Sequence, residues 1–351
     1  MSKVPSLSYD RIVRALTEGR MGTGAAKGKP PAAAEEVAGG DPQSDGSRPP
    51  SSEALDPGPH SEGGTARSRY LSRVALKMET SVPNLKLAEA SASRISNKFR
   101  ELSERGAKGL VLYLTAGDPT LEDTGKILAA LDRAGADVIE LGVPFSDPLA
   151  DGPVIQRASE RALGAGASLR KILELLPHWR RVVRAPMILF TYYNPILQYG
   201  LEDFSRDAAR AGIDGALVVD LTPEESGDYV TAMRNQNLDT VFLASPTSTD
   251  ERLACIARLS TGFLYLISRT GVTGERPQLS VTLRPLVDRV RRFSPLPLAL
   301  GFGISTPEQV KEVQSLADAA VVGSALVHAI EDRYAAGGES GIERYVRWLK
   351  G

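Results

Sequence analysis

Two carboxylates stand where they could perform acid–base chemistry. Glu140 interrupts an apolar run, Asp137–Leu141, whose alternation puts Val138 and Glu140 on the same face. A carboxylate near a buried interior is costly unless it is paired or used. Glu140 is therefore either buried with an arginine or backbone partner, or a general acid/base. Asp151 follows eleven residues later on a loop, where Gly152 and Pro153 open the next helix, so it could also be a turn or helix-entry residue.

Two glycine-rich segments could hold a phosphate. The first, Gly301–Ser305, precedes a helix entry in which Thr306 is a good N-cap and Pro307 suits the first helical position. The second, Gly323-Ser324, leads directly into another helix. Glycine lets backbone N–H groups approach an anion that the helix N-terminus favours. Each segment alone could be an ordinary tight turn, but together they predict a phosphate site.

A long polar segment, residues 268–278, follows the sixth strand-like run. Its length is unusual for the connection between a strand and a helix, and Gly271 and Gly274 could serve as hinges. The segment is predicted to be a mobile lid over a ligand, with an ordinary surface loop as the alternative.

The sequence lacks the residues that Schiff-base and metal-dependent mechanisms need. The lysines after position 109 all fall in helix-type segments, which argues against a Schiff base and a covalently held pyridoxal phosphate. One cysteine, Cys255, and three widely spaced histidines form no metal-ligand pattern. The remaining prediction is metal-free acid–base chemistry by carboxylates on a phosphorylated small molecule.

Strand-like and helical patterns alternate from Ile95 onward. Eight apolar runs are predicted as parallel strands covered on both faces: residues 110–114, 138–141, 187–190, 216–219, 241–244, 263–267, 296–300 and 319–322. Seven helical patterns between them cover residues 121–134, 169–183, 201–211, 224–236, 250–259, 281–292 and 307–316. Eight such units predict an α/β fold of the (β/α)8 TIM-barrel type, with active residues at the carboxyl ends of the strands. An open doubly wound sheet is the alternative, although Thr306 occupies the third glycine position of its usual Gly-x-Gly-x-x-Gly motif.

Composition separates a tail from this domain. Of the 351 residues, 42 are Lys or Arg and 43 are Asp or Glu, which argues against a nucleic-acid or polybasic membrane-surface partner. No apolar run is long enough to span a membrane and no signal peptide is evident, so a cytoplasmic location is expected. Residues 21–67 hold nine glycines and seven prolines and no aromatic residue, a composition that cannot support a core. We therefore expect a mostly disordered N-terminal extension over residues 1–77 and a catalytic domain over residues 78–351.

Four segments resemble the tryptophan synthase alpha subunit family. They are Leu114–Pro119, Glu140–Pro153, Ser268–Gly274 and Gly301–Ser305. The resemblance runs from about Ile95 to the C-terminus. It implies a lyase of tryptophan biosynthesis that cleaves indole-3-glycerol phosphate to indole and glyceraldehyde 3-phosphate. It also implies a beta-subunit partner in an alpha2beta2 heterotetramer, with pyridoxal phosphate in that partner and no cofactor or metal in this chain.

The resemblance assigns roles by position. Glu140 matches the general acid/base, Asp151 the carboxylate that faces the indole N–H, and Thr273 the residue that holds Asp151. Further substrate contacts are implied for Tyr265, Gly274, Phe302, Gly303, Gly323 and Ser324, and pocket positions for Tyr113, Phe190, Leu217 and Leu243. The segment Thr191–Pro195 at the end of the third strand is one of several versions in the family and is not expected to touch the catalytic pair.

Three other functions remain open from the sequence. Another phosphate-binding barrel, such as indole-3-glycerol phosphate synthase, needs a strand-end lysine that is missing here. A non-catalytic activating subunit would not need Glu140 and Asp151. A stand-alone indole-3-glycerol phosphate lyase would use the same chemistry without a beta subunit.

Overall fold

The computed structural model describes residues 93–267, 279–301 and 303–351, and all their side chains except those of 279–282. The predicted extension over residues 1–77 lies outside these ranges. Among the described helices, none is long and apolar enough to cross a membrane.

Nine parallel strands form one sheet in the described part of the chain. They are β1 (Gly109–Thr115), β2 (Val138–Gly142), β3 (Met187–Thr191), β4 (Gly215–Val218), β5 (Asp239–Val241), β6 (Leu243–Ala244), β7 (Leu264–Ile267), β8 (Leu298–Gly301) and β9 (Ala319–Val322). Their order is β5-β4-β3-β2-β1-β9-β8-β7-β6, so successive strands are neighbours. Only Phe242 separates β5 from β6, and the chain itself joins the two ends of this order into a barrel.

The barrel confirms the predicted fold and excludes the open doubly wound sheet, whose strand order would reverse. All eight apolar runs form strands. The fifth is divided because β5 pairs with β4 and β6 pairs with β7. The seventh begins at Leu298 rather than Leu296. Pro297 precedes it and has no N–H to give to a strand ladder.

Helices surround the sheet. They are α1 (Arg94–Glu104), α2 (Leu121–Arg133), α3 (Pro153–Gly164), α4 (Leu169–Trp179), α5 (Tyr193–Tyr199), α6 (Leu201–Ala211), α7 (Gly227–Asn235), α8 (Asp250–Leu259), α9 (Leu279–Arg291), α10 (Pro307–Gln314), α11 (Ser324–Ala329) and α12 (Ala335–Lys350). A 3₁₀ turn, Pro223–Glu225, precedes α7, and a π-helical turn, Ile330–Tyr334, joins α11 to α12. Helices α5 and α12 were not among the predicted helices. Pro195 is tolerated because it stands in the first turn, where N–H groups have no intrahelical partner.

Alternate residues of the strands pack inside the barrel. The buried interior includes Val111, Val138, Ile188, Leu217, Val241, Ala299 and Val321. Helix α1 packs against the amino ends of the strands, where Phe99 lies 5.7 Å from Phe263 between ring centroids. Within the described part of the chain, the carboxyl ends of the strands therefore form the mouth of the barrel.

Three aspartates at the amino ends fasten neighbouring strands together. Asp137, Asp214 and Asp318 each stand immediately before a strand: β2, β4 and β9. Their carboxylates accept the N–H of a residue at the start of the preceding strand, at 2.8 to 2.9 Å. Their own N–H groups donate to the carbonyl of that same residue. These reciprocal pairs join β1 to β2, β3 to β4 and β8 to β9.

Candidate active site

Glu140 lies on the inward face of β2, at the level of Tyr113 on β1 and Ile188 on β3. Its side chain is 1% exposed, and Oε1 has no hydrogen-bond partner among the described residues. Burial alone raises the pKa of Glu140 to about 8. No arginine among the described residues pairs with Glu140, and burial keeps its carboxyl group protonated near neutral pH.

Asp151 lies on the loop between β2 and α3 and is partly buried. Its carbonyl accepts a hydrogen bond from Gln156 Nε2 at 2.9 Å. The N-cap of α3 is Gly152, and no side chain caps this helix. Asp151 is therefore not the capping residue, which leaves its carboxylate available at the mouth. Burial raises the pKa of Asp151 to about 6, and a hydrogen bond from Tyr192 acts in the opposite direction.

Tyr192, at the end of β3, touches the loop that carries Asp151. Its hydroxyl accepts the Ala150 N–H at 2.9 Å and lies close enough to Asp151 to affect the pKa of that carboxyl group. The expectation that Thr191–Pro195 does not touch the catalytic pair is therefore wrong. A buried tyrosine at the carboxyl end of a barrel strand was the available signal for this contact, since such positions face the mouth.

Tyr113 lies close to both carboxylates. Its ring packs edge-on against Phe190, with 5.2 Å between centroids, and its hydroxyl lies 3.2 Å from Thr115 Oγ1. Burial raises the pKa of Tyr113, and the charges of Asp151 and Glu140 raise it further. A Cβ at Gly142 would collide with this hydroxyl, so glycine at that position makes room for the tyrosine.

The predicted pocket residues converge around the same interior. Leu217 is fully buried in the barrel core, and Phe190, Leu243 and Tyr265 pack against that core while remaining partly buried. Tyr265 and Leu243 stand side by side on β7 and β6. Tyr113 stands beside Glu140 in the β1–β2 register and packs against Phe190, so apolar side chains share the inward face of the barrel with this carboxyl group.

The two glycine segments open onto free space. Gly303 has a φ of +54°, and an added Cβ there would meet no atom of the described residues within 4 Å. Gly323 is the N-cap of α11, which begins at Ser324, and an added Cβ there would meet only Tyr113 Cβ at 3.8 Å. Thr306 and Gln309 form the capping box of α10, with Pro307 at the first position, as predicted. Backbone N–H groups at such open helix starts are suited to an anion.

Some predicted features fall outside the described residues. These are Phe302, and Thr273 and Gly274 within the predicted lid over residues 268–278. In the described ranges, no group of three or more His, Cys, Asp or Glu side chains could hold a metal ion.

Comparison with known proteins agrees with this geometry. The sequence model of the family described as tryptophan synthase alpha chain matches residues 99–347. The chain is 54% identical to the tryptophan synthase alpha chain of Solibacter usitatus over 259 residues, covering 74% of this chain and 97% of the relative. It is 53% identical to that of Geobacter sp. strain M21 over 239 residues, covering 68% and 90%.

Solved structures show the same fold. Tryptophan synthase subunit alpha from Legionella pneumophila strain Paris has a TM-score of 0.69 at 37% identity and covers 74% of this chain and 97% of its own. A chain in tryptophan synthase from Mycobacterium tuberculosis has a TM-score of 0.67 at 36% identity, with coverage of 74% and 97%. With a family match over most of its length and relatives above half identity, the chain belongs to the tryptophan synthase alpha chain family.

Proposed function

We propose that this chain cleaves indole-3-glycerol phosphate to indole and glyceraldehyde 3-phosphate, with Glu140 as general acid/base and Asp151 as the charge that faces the indole nitrogen. One observation carries the proposal. Two carboxyl groups at one barrel mouth have pKa values of about 8 and about 6. At a neutral to slightly alkaline pH the first holds a proton and the second is largely ionised, which is the division of labour that acid–base catalysis needs.

The proposed reaction uses the protonated form of Glu140 and the ionised form of Asp151. Protonated Glu140 supplies a proton to C3 of the indole ring, which places positive charge on the ring nitrogen. Ionised Asp151 accepts the hydrogen bond of that N–H and stabilises the charge. Deprotonated Glu140 then takes the proton of the adjacent side-chain hydroxyl. The C=O of the aldehyde forms as the C3–carbon bond breaks, and the electron pair of that bond restores the aromatic indole. Glu140 is returned to its starting state.

The other residues bind and orient the substrate. Tyr113, Phe190, Leu217, Leu243, Tyr265 and Phe302 are proposed to hold the indole ring, and Gly274, Gly303, Gly323 and Ser324 the phosphate. Thr273 is proposed to hold Asp151 when residues 268–278 cover the substrate. The open space before Gly303 and Gly323 supports the phosphate assignment. No cofactor is assigned to this chain.

The proposed partner is a tryptophan synthase beta subunit, which would carry the pyridoxal phosphate. Leu149, in the loop that bears Asp151, is 48% exposed, and Leu197, on α5, is 53% exposed. Tyr192 stands immediately before α5 and contacts that loop, so both leucines flank the candidate site. Single exposed apolar side chains are common on protein surfaces, so it is the position of these two leucines beside the candidate site that supports a protein contact there. Leu197→Ser should weaken activation by a beta subunit and leave basal activity unchanged, whereas Val182→Ser, 61% exposed on another loop, should do neither.

Indole release from indole-3-glycerol phosphate tests the function directly. Glu140→Gln should lower kcat by about 10²- to 10⁴-fold, the usual contribution of a general acid/base. Asp151→Asn should also be severely impaired while its affinity for glycerol phosphate is largely retained. The control is Glu174→Gln on α4, an exposed carboxyl far along the chain from the site.

The outcomes separate the alternatives. Retention of more than about a tenth of the wild-type rate in Glu140→Gln would contradict the assigned role. Absence of indole release by the wild type, with stimulation of a beta subunit intact, would indicate a non-catalytic activating subunit. Release that no beta subunit changes would indicate a stand-alone lyase.

A further inference from the structure

Arg161, on α3, joins three parts of the barrel. Its Nε and Nη2 atoms donate to the two carboxylate oxygens of Asp118, each at 2.8 Å, and Asp118 belongs to the loop between β1 and α2. Its Nη1 atom lies 3.5 Å from Glu331 Oε1, in the turn that follows α11. The Asp118 side chain is only 6% exposed, whereas the side chains of Arg161 and Glu331 are 37% and 44% exposed. The bidentate contact with Asp118 is therefore the buried and directional part of this cluster.

The elements that Arg161 joins also carry the candidate site. Helix α3 begins two residues after Asp151, and no side chain caps its first turn. Strand β1 precedes the loop that bears Asp118, and it holds Tyr113 beside Glu140. The ion pair thus connects the helix that follows one candidate carboxylate to the strand that stands next to the other.

The remaining contacts of α3 with these elements are made by small side chains. In the first half of the helix, Ala158 packs with Tyr113 of β1 and Val327 of α11. Near its end, a Cβ added to Gly117 of the β1–α2 loop would lie 3.1 Å from Ala162 Cβ. Alanine and glycine allow this close approach, but their small surfaces resist sliding or rotation of the helix less than a bidentate ion pair does.

From this geometry we infer that Arg161 is a positioning residue for the cleavage reaction: by holding Asp118 it fixes α3, and with it the placement of Asp151 relative to Glu140. This inference rests on the proposed function and deepens it. A buried ion pair is often no more stabilising than apolar side chains of similar volume, so the contribution of this pair is to orientation rather than to stability. A displacement of about 1 Å at a reacting group can cost about 10²-fold in rate.

The test is a double replacement that removes the ion pair without leaving one charge buried alone. Asp118→Asn with Arg161→Met keeps the shape of the first side chain and the aliphatic stem of the second. The double variant should melt within a few degrees of the wild type. Its kcat for indole release should fall about 10- to 100-fold. Its affinity for glycerol phosphate, measured by calorimetry, should stay at the wild-type value, because the proposed phosphate segments follow β8 and β9.

Two single replacements show which contact of the guanidinium matters. Arg161→Lys keeps the charge but not the planar fork, so it should fold and lose part of kcat. Glu331→Gln is the matched control, because it removes only the longer and more exposed contact, and its kcat should equal that of the wild type. In an Asp151→Asn background, the double replacement should add little further loss of kcat, because the group that Arg161 positions is already gone.

A wild-type kcat in the folded double variant would overturn the positioning role, and so would a full additional loss in the Asp151→Asn background. Loss of folding in the double variant, or a fall in kcat that follows the melting temperature through Arg161→Lys, would assign the pair to stability and overturn the role as well. Failure of the wild type to release indole would instead overturn the proposed function itself.

Discussion

Replacing Glu140 by glutamine should stabilise the barrel, and the gain should grow as the pH rises. In the folded protein, burial raises the pKa of Glu140 from 4.5 to about 8. In the unfolded chain the carboxyl is in water and titrates near its ordinary value. Between these two pKa values the folded state keeps the proton and the unfolded state releases it, so stability falls as the pH rises.

The size of the effect follows from the two pKa values. Each pH unit of difference is worth about 1.4 kcal/mol, so the folded protein loses about 1 kcal/mol by pH 5 and about 4 kcal/mol by pH 8 relative to strongly acidic solution. Glutamine has no proton to release and carries no such dependence. The variant's advantage in the free energy of unfolding should therefore widen by about 3 kcal/mol between pH 5 and pH 8.

Urea titrations of both proteins at intervals across this pH range provide the measurement. Glu174→Gln, an exposed carboxyl replaced by the same amide, is the matched control. A difference between Glu140→Gln and wild type that stays flat from pH 5 to pH 8 would refute the argument, because it would mean that Glu140 titrates alike in the folded and unfolded chains.

Three further predictions concern other parts of the chain. At Gly323 an added Cβ would meet only Tyr113 Cβ, at 3.8 Å, among the described residues. Calorimetry of Gly323→Val, with its fold confirmed by circular dichroism, should show loss of glycerol-phosphate binding. Gly164→Ala, where an added Cβ meets nothing within 4 Å, is the control, and unchanged affinity in the valine variant would exclude the site. A chain that begins at Met78 should have a melting temperature within a few degrees of that of the full-length protein and should keep its indole-releasing activity. The reason is that the family match starts at residue 99. Loss of folding would show that residues 1–77 contribute to the stability of the barrel. Asp214→Ala should lower the free energy of unfolding, measured in urea, by about 1–3 kcal/mol. The substitution leaves the Met187 N–H and the Arg94 guanidinium without the buried carboxylate that accepts their hydrogen bonds. An unchanged free energy of unfolding would show that Asp214 does not stabilise the β3/β4 pair.

The sequence predicted the barrel because strong local patterns agree with the fold. Continuous aliphatic runs became strands, and the helix starts at Thr120, Ser168, Thr249 and Thr306 all carry side-chain caps. Helix α4 ends at Trp179, short of the predicted residue 183, and it contains Pro177. The division of the fifth strand at Phe242 depends on which neighbours its two halves pair with, and no local pattern records that choice.

The site was only partly predictable for a similar reason. Glu140 was identifiable because a carboxylate within an apolar strand is costly to bury unless it has a function or a partner. Tyr192 was missed because a tyrosine at a strand end fits core packing equally well, and its hydrogen bond with Ala150 spans forty-two positions. The family was predicted from four loops and is confirmed by the match over residues 99–347, whereas the individual roles of the site residues stay predictions.

The reciprocal hydrogen bonds of Asp137, Asp214 and Asp318 bear on how the chain reaches its fold. A parallel pair that slipped by one residue would reverse the faces of its side chains and separate each aspartate from its partner N–H. The aspartate before the second strand of each pair thus favours the correct register. This holds for β1/β2, β3/β4 and β8/β9. Each of these three strand pairs therefore has a register that is fixed by its own hydrogen bonds and does not depend on the rest of the barrel.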